Sequence, residues 1–217
     1  MSTPNGIVIA IDGPAGAGKT TLARRLAEAL NLPLVATGLM YRAVARAALD
    51  RGIDVEDEEA LTELADNMSF VLDDGPDGMS IDGVRPTDEL RSNEVEAVVS
   101  VVARHPRVRA ALHRAQRALG GGGAVVEGRD IGTVVFPDAR VKIFVEADPG
   151  ERAARRQVER GTEDPDLADQ LARRDALDAR TNPLRPAEDA HLLDTTGHTP
   201  DEVLNEAMSL VQAATGG

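Results

Sequence analysis

Gly13-Pro14-Ala15-Gly16-Ala17-Gly18-Lys19-Thr20 is a complete G-x-x-x-x-G-K-[ST] octapeptide. Its glycines let backbone N–H groups curl around an anion, Lys19, expected on an exposed loop, brings a cation to the outer phosphates, and the Thr20 hydroxyl is a hard oxygen suited to Mg²⁺. Three further segments carry compatible groups: Glu127 to Pro137 sets Arg129 beside Asp130, Glu151 to Gly161 is dense in arginine, and Arg173 to Arg180 repeats that texture beyond the polar loop Thr162 to Pro165. A basic helix, loop and basic helix can fold over phosphates as a lid. Guanidinium groups bind phosphate oxygens two at a time. Such a set suits the meeting of two polyanions, where cations offset repulsion and a lid keeps out water that would otherwise take the phosphoryl group. Arg155, Arg156 and Arg174 read as lid cations. Arg152 and Arg160 read equally well as a solvated helix face.

The elements that must position these groups follow from periodicity. Gly6 to Asp12 is an apolar strand emptying into the loop, and Thr20 to Leu30 sets Leu22, Leu26 and Leu30 on one helical face. Leu32 to Val35 predicts a second strand, Thr37 to about Arg51 a helix, and Glu56 to Asn67 an acidic helix. Ser69 to Asp73, Met79 to Asp82 and Val84 to Pro86 are short extended pieces split by Asp-Gly turns, which predicts a small antiparallel insert. Asn93 to Arg104 is a helix by its valine spacing, and Pro106 opens another that ends at Gly120 to Gly123. Ala124 to Glu127, Val141 to Val145 and His191 to Asp194 complete the strands, before a helix that opens with the capping box Thr199-Pro200-Asp201-Glu202. Alternating strands and helices predict a parallel sheet covered on both faces, with its ligands beyond the strands' carboxyl ends.

Composition narrows the class. The chain of 217 residues is long enough for one full core, and its 42% hydrophobic and 28% charged residues are globular in balance. There is no cysteine, no apolar run of membrane-spanning length and no signal-like Met1 to Asn5, so a cytoplasmic enzyme without a membrane partner is expected. A net charge of −13, with one tyrosine, three phenylalanines and no tryptophan, argues against a nucleic-acid partner. Lys19 and Lys142 are the only lysines, so an Asn-Lys-x-Asp guanine signature is absent and a GTP-dependent switch is disfavoured. The residues themselves leave the acceptor open among UMP, AMP, another nucleoside monophosphate and a metabolite hydroxyl. His105, His113, His191 and His198 lie outside the phosphate motifs and read as packing or surface residues.

The octapeptide, Thr37-Gly38-Leu39-Met40-Tyr41-Arg42, His105 to Arg109, Gly128 to Ala139, Arg174-Asp175, Asp189-Ala190 and Asp194-Thr195 together resemble bacterial-type cytidylate kinases, of the P-loop nucleoside monophosphate kinase superfamily. The likeness runs nearly end to end, and Gly128 to Ala139 is its most specific part. Two positions depart from the family: Ala36 stands where it has aspartate, and the spacing from Asp178 to Pro183-Leu184 is shorter. The resemblance implies an α/β P-loop kinase fold, with a central parallel five-stranded sheet flanked by helices, an antiparallel insert in the monophosphate-binding region and a helical lid. It implies one domain over 1–217: a core of 1–35, 124–148 and 181–217, a monophosphate-binding region over 36–123 and a lid over 149–180.

The implied activity is Mg²⁺-dependent transfer of the ATP γ-phosphoryl group to CMP or dCMP, by a monomer. By resemblance Gly13, Pro14, Ala15, Gly16, Ala17, Gly18, Lys19, Thr20 and Thr21 bind ATP, with Thr20 on the metal. Lys19, Arg129, Arg155, Arg156 and Arg180 are the catalytic cations. Arg109 offers a donor fork to cytosine while Ser100 and Asp130 receive its amine. Arg42, Arg129 and Arg180 hold the CMP phosphate, Asp178 and Arg174 meet the sugar, and Thr37 and Tyr41 line the acceptor pocket.

Overall fold

The structure, a computed structural model, describes residues 6–73, 78–161, 166–181 and 184–216, without the side chains at 159, 160, 174 and 179–181. In chain order the strands are β1 (Val8–Asp12), β2 (Leu34–Ala36), β3 (Phe70–Leu72), β4 (Met79–Ile81), β5 (Ala124–Glu127), β6 (Val141–Glu146) and β7 (His191–Asp194). The α-helices are α1 (Lys19–Leu30), α2 (Thr37–Arg51), α3 (Glu58–Asn67), α4 (Asn93–Arg104), α5 (Pro106–Gly120), α6 (Pro149–Arg160), α7 (Leu167–Thr181) and α8 (Pro200–Thr215).

Five strands form one parallel sheet in the order β2-β5-β1-β6-β7. Alternation along β1 explains its central place. Ile9 and Ile11 pack on one face with Leu22 and Leu26 of α1 and Val203, Ala207 and Val211 of α8. Val8 and Ala10 face the opposite layer, where α2, α3, α4 and α5 supply Met40, Val44, Leu61, Val95, Val102, Val108 and Leu112. Strands buried on both faces are continuously apolar, as β1 is until Asp12. Because the sheet is parallel, the segments after β1, β2 and β5 emerge along one edge, and the cleft lies there.

The insert is β3 paired antiparallel with β4, and Val84 returns to bridge Ile81 as a remnant of the third predicted piece. Asp82 and Gly83 take positive φ at that return. Gly78, at φ +75°, runs against β2 so closely that a Cβ there would lie 2.3 Å from the Leu34 carbonyl oxygen. The tip of the insert at 74–77 lies outside the described residues, as does the predicted lid loop Thr162 to Pro165. Two local elements were not foreseen: a 3-10 turn at Asp88–Arg91 and a π-helical turn at Ile131–Val135. Lys142 stays within the scaffold, where it donates to Pro137 O and pairs with Asp189 at 2.8 Å. The lid helices α6 and α7 seat on the core through Ala15, Ala153, Leu167 and Leu171. Among the described residues no helix is long and apolar enough to cross a membrane.

Candidate active site

The octapeptide forms the loop that its spacing predicts, between β1 and α1. Gly13, at φ +146°, passes so close to β6 that a Cβ would fall 2.1 Å from the Val145 carbonyl oxygen, so no other residue fits. Lys19 opens α1 and is only 5% exposed. It is therefore not on the exposed loop that the motif pattern implies: its ammonium folds back to donate to Pro14 O at 2.7 Å. Thr20 Oγ1 donates to Glu127 Oε1 at 3.2 Å, which brings the end of β5 against the loop. Thr21 is exposed on α1 and is not part of the cleft wall.

The lid helices are clamped to this loop by charge as well as by apolar packing. Arg152, 9% exposed, donates to Ala15 O at 3.0 Å and pairs with Asp175 of α7 at 2.6 Å. It is not on the solvated face its sequence context allowed. Breaking such a pair strands a charge in a poorly solvated place, so the clamp ties helix placement to loop shape. Arg155 donates to Thr195 Oγ1 at 2.8 Å and to Thr195 O at 2.6 Å, and also pairs with Glu151. Buried Thr195 in turn donates toward Ala17 O and Glu146 O, so α6, the loop and β6 meet at one hydroxyl.

Across the cleft the acceptor side is assembled from α2, α4, α5, α7 and the segment after β5. Arg42 pairs with Glu96 at 2.6 Å and donates to Leu90 O at 3.1 Å, while Arg156 reaches the same Glu96 at 3.2 Å from α6. One carboxylate thus holds two guanidinium groups at the cleft wall. Arg129 spans the two sides, donating to Gly13 O at 3.1 Å and reaching Asp178 Oδ2 at 3.3 Å. Ser100 donates to Asp178 Oδ1 at 3.2 Å. Thr37 lies in the wall with its hydroxyl committed to Glu127 O at 2.8 Å. The side chains of Arg174 and Arg180 lie outside the described residues.

At the inner end Asp130 pairs with Arg109, whose other amine donates to Ala103 O at 3.4 Å. Behind them Asp12 accepts from Ile131 N–H at 2.8 Å and Gly132 N–H at 2.7 Å, which starts the π-helical turn. The two carboxylates are pushed apart in acidity. Burial, and secondarily repulsion from Asp130, outweighs the two N–H bonds and drives Asp12 up to about 6. Burial also acts to raise Asp130, but His113 and the Arg109 guanidinium together outweigh it and hold this carboxyl below its ordinary value. Burial pushes Tyr41, facing this pair from α2, up to about 12, so its hydroxyl stays neutral.

A phosphate-type loop beside an arginine-lined cleft with a buried carboxylate at its inner end accords with the likeness to cytidylate kinases, and residues 9–213 match the cytidylate kinase family. The chain belongs to this family. It is 46% identical over 216 residues to the cytidylate kinase of Anoxybacillus flavithermus, covering 95% of this chain and 96% of that one. It is also 46% identical over 220 residues to the cytidylate kinase of Geobacillus kaustophilus, covering 97% and 98%. A crystal structure of an uncharacterized protein from Eubacterium ventriosum shares the fold at a TM-score of 0.51 and 13% identity, covering 95% of this chain and 99% of that one.

Within this cytidylate kinase fold, the sequence alone gives no role to Asp12, Glu96, Glu127 or Asp175, each a carboxylate that positions a cation, a hydroxyl or a backbone turn. It also sets His113 aside, although the side chain is buried 3.4 Å from Asp130 Oδ2. A usable signal was present for His113. Arg109, His113 and Gln116 recur at helical spacing on α5, and a polar stripe on a helix that packs against a sheet needs a polar partner.

Proposed function

We propose that this cytidylate kinase family member transfers the γ-phosphoryl group of ATP to CMP or dCMP, giving ADP and CDP or dCDP. A phosphate oxygen of the acceptor attacks the γ-phosphorus as the bond to the β-phosphate oxygen breaks, and the electron pair leaves with ADP. The loop Gly13 to Thr20 holds the donor phosphates, Lys19 neutralises charge that develops in transfer, and Arg155 approaches from α6. Arg129 suits the junction of the two substrates because it already touches both the loop and Asp178. Arg42 serves the acceptor phosphate and Arg156 closes on ATP, with the shared Glu96 keeping both aimed until an anion arrives. Arg174 and Arg180 keep the sugar and phosphate roles that the family resemblance assigns. Asp178, held by Ser100 and Arg129, meets the sugar.

Thr20 and Glu127 set hard oxygen donors side by side, a set that fits Mg²⁺. Among the described residues no cluster of three or more metal-ligating side chains occurs, so phosphate oxygens and water complete such a site. When bound, the metal supplies positive charge to the donor phosphates. A monomer acting on soluble nucleotides in the cytoplasm is the state that the family resemblance implies.

The observation that carries the substrate reading is the Asp130 carboxylate, kept ionised by Arg109 at the cleft's inner end. Cytosine offers an amine to such an acceptor, whereas uracil offers an oxygen at that place. An assay of ADP release, run with ATP and in turn CMP, dCMP, UMP and AMP, tests this. Turnover is expected with CMP and dCMP far above the others, and equal use of UMP would overturn it.

A further inference from the structure

Asp130 is approached from α5 by a guanidinium and an imidazole, and both face the same oxygen. Arg109 pairs with Oδ2, and His113 Nε2 stands 3.4 Å from that atom. Arg109 and His113 are four residues apart on α5 and therefore share a face; Gln116, 1% exposed, continues that face toward the Tyr41 hydroxyl. A carboxylate gripped at one oxygen from one side keeps its other oxygen for a donor in the cleft.

We infer that His113 is a positioning residue for base selection, its ring N–H and that of Arg109 fixing Asp130 so that Oδ1 faces the exocyclic amine of cytosine. The inference rests on the reading of Asp130 as the base acceptor and deepens it. At 3.4 Å the contact is longer than a formed N–H···O bond, and it shortens when the base donates to Asp130, as hydrogen bonds in an active site tighten once substrate is seated. Arg109 alone is a weak guide to orientation, because its other amine is drawn to Ala103 O. The effect of His113 is confined to the base. It does not line the cleft, and among the described residues none of the groups assigned to phosphate bonds to it.

The test compares wild type, His113→Leu, His113→Gln and Asp130→Asn, with kcat and KM measured separately for CMP and UMP and with thermal unfolding as a check on folding. Glutamine is neutral and carries an amide N–H at about the reach of the histidine Nε2, whereas leucine fills the space without a donor. For His113→Leu, kcat/KM for CMP is expected to fall about tenfold, mainly through KM, a loss equal to one misdirected hydrogen bond to a charged group. UMP use should change little, and His113→Gln should restore most of the loss. A fall shared equally by CMP and UMP, an unchanged CMP constant in His113→Leu, or a glutamine variant as impaired as leucine would each overturn the inference. Should His113→Leu fail to fold, the folded glutamine variant still decides: a CMP to UMP ratio far below wild type contradicts a donor role. Asp130→Asn separates the levels. If it collapses the ratio while His113→Leu does not, the carboxylate reads the base without help from His113; if it leaves the ratio intact, the reading of Asp130 itself fails.

Discussion

The two ends of the cleft are built on different plans. At the end proposed to hold phosphate one contiguous segment, Gly13 to Thr20, provides backbone curvature, a cation and a hydroxyl, and the lid helices brace it through Arg152 and Asp175 while Arg155 reaches toward it from α6. At the end proposed to read the base, Tyr41, Ser100, Arg109 and Asp130 line the cleft from α2, α4, α5 and the turn after β5, with His113 of α5 behind Asp130. Phosphates are alike on every nucleotide, so backbone N–H groups and fixed cations suffice for them. A base is distinguished by where its donors and acceptors lie, which requires side chains held in one orientation from several directions.

Variants that separate the two ends sharpen this contrast. The largest effect is expected at Lys19: Lys19→Ala should lower kcat by 10²- to 10³-fold, about 2.7–4 kcal/mol, as other preorganised charge contacts do. The loss should be the same for CMP and UMP, since this end does not see the base. Steady-state kinetics with both acceptors checks it, and a variant that changes the ratio between them would break the division. Next, Arg152→Ala should destabilise the protein by about 3 kcal/mol, because it leaves Asp175 as an unpaired carboxylate in a poorly solvated place. It should also raise KM for ATP more than KM for CMP. Denaturant unfolding and substrate titrations measure the two effects.

Asp12 joins the two ends, closing β1 before the loop while capping the turn that follows Asp130. Its folded-state value near 6 lies above the ordinary 3.8, so the folded protein holds this proton more tightly than the unfolded chain does. The stability contributed by the neutral acid is therefore full below about 3.8 and is lost as pH rises through about 6. The shift corresponds to at most about 3 kcal/mol. Denaturant unfolding of wild type and Asp12→Asn at pH 4 and pH 7 reads it: the stability of wild type relative to the variant should decline by up to that amount between the two. A difference that stays constant with pH would show that Asp12 does not titrate in this window.

The same contrast explains what was legible in the sequence. The phosphate loop could be read whole because its parts are consecutive, and the sheet because each strand is an apolar run bounded by polar turns. The insert was legible from Asp82-Gly83. The base end was harder, since the family likeness supplied Arg109, Ser100 and Asp130 but not what holds them. Glu96 is one more acid in a helix by sequence, and only the packing of α4 against α2 and the reach of Arg156 from α6 reveal that it gathers Arg42 and Arg156. Lys19 was misplaced for a related reason: a glycine-rich motif reads as exposed, but here α6 and α7 lie over it. The π-helical turn depends on a carboxylate more than a hundred residues away, as Asp12 accepts from Ile131 and Gly132. No local pattern announces that.

The central claim is that a fixed carboxylate, Asp130, reads cytosine. The most direct measurement is kcat/KM for CMP and for UMP in wild type and in Asp130→Asn. In wild type uracil would set an oxygen against a buried charge, and a site that hydrogen-bonds a substrate group can reject such a mismatch by up to about 10⁴-fold. Asparagine keeps its oxygen for Arg109 and His113 and turns an amide N–H to the cleft, where it opposes the cytosine amine donor to donor and no longer excludes the uracil oxygen. The account predicts a large preference for CMP in wild type, narrowed by at least about a hundredfold in Asp130→Asn, mainly through lost activity on CMP. Equal use of the two nucleotides by wild type, or a ratio untouched by the substitution, would contradict it.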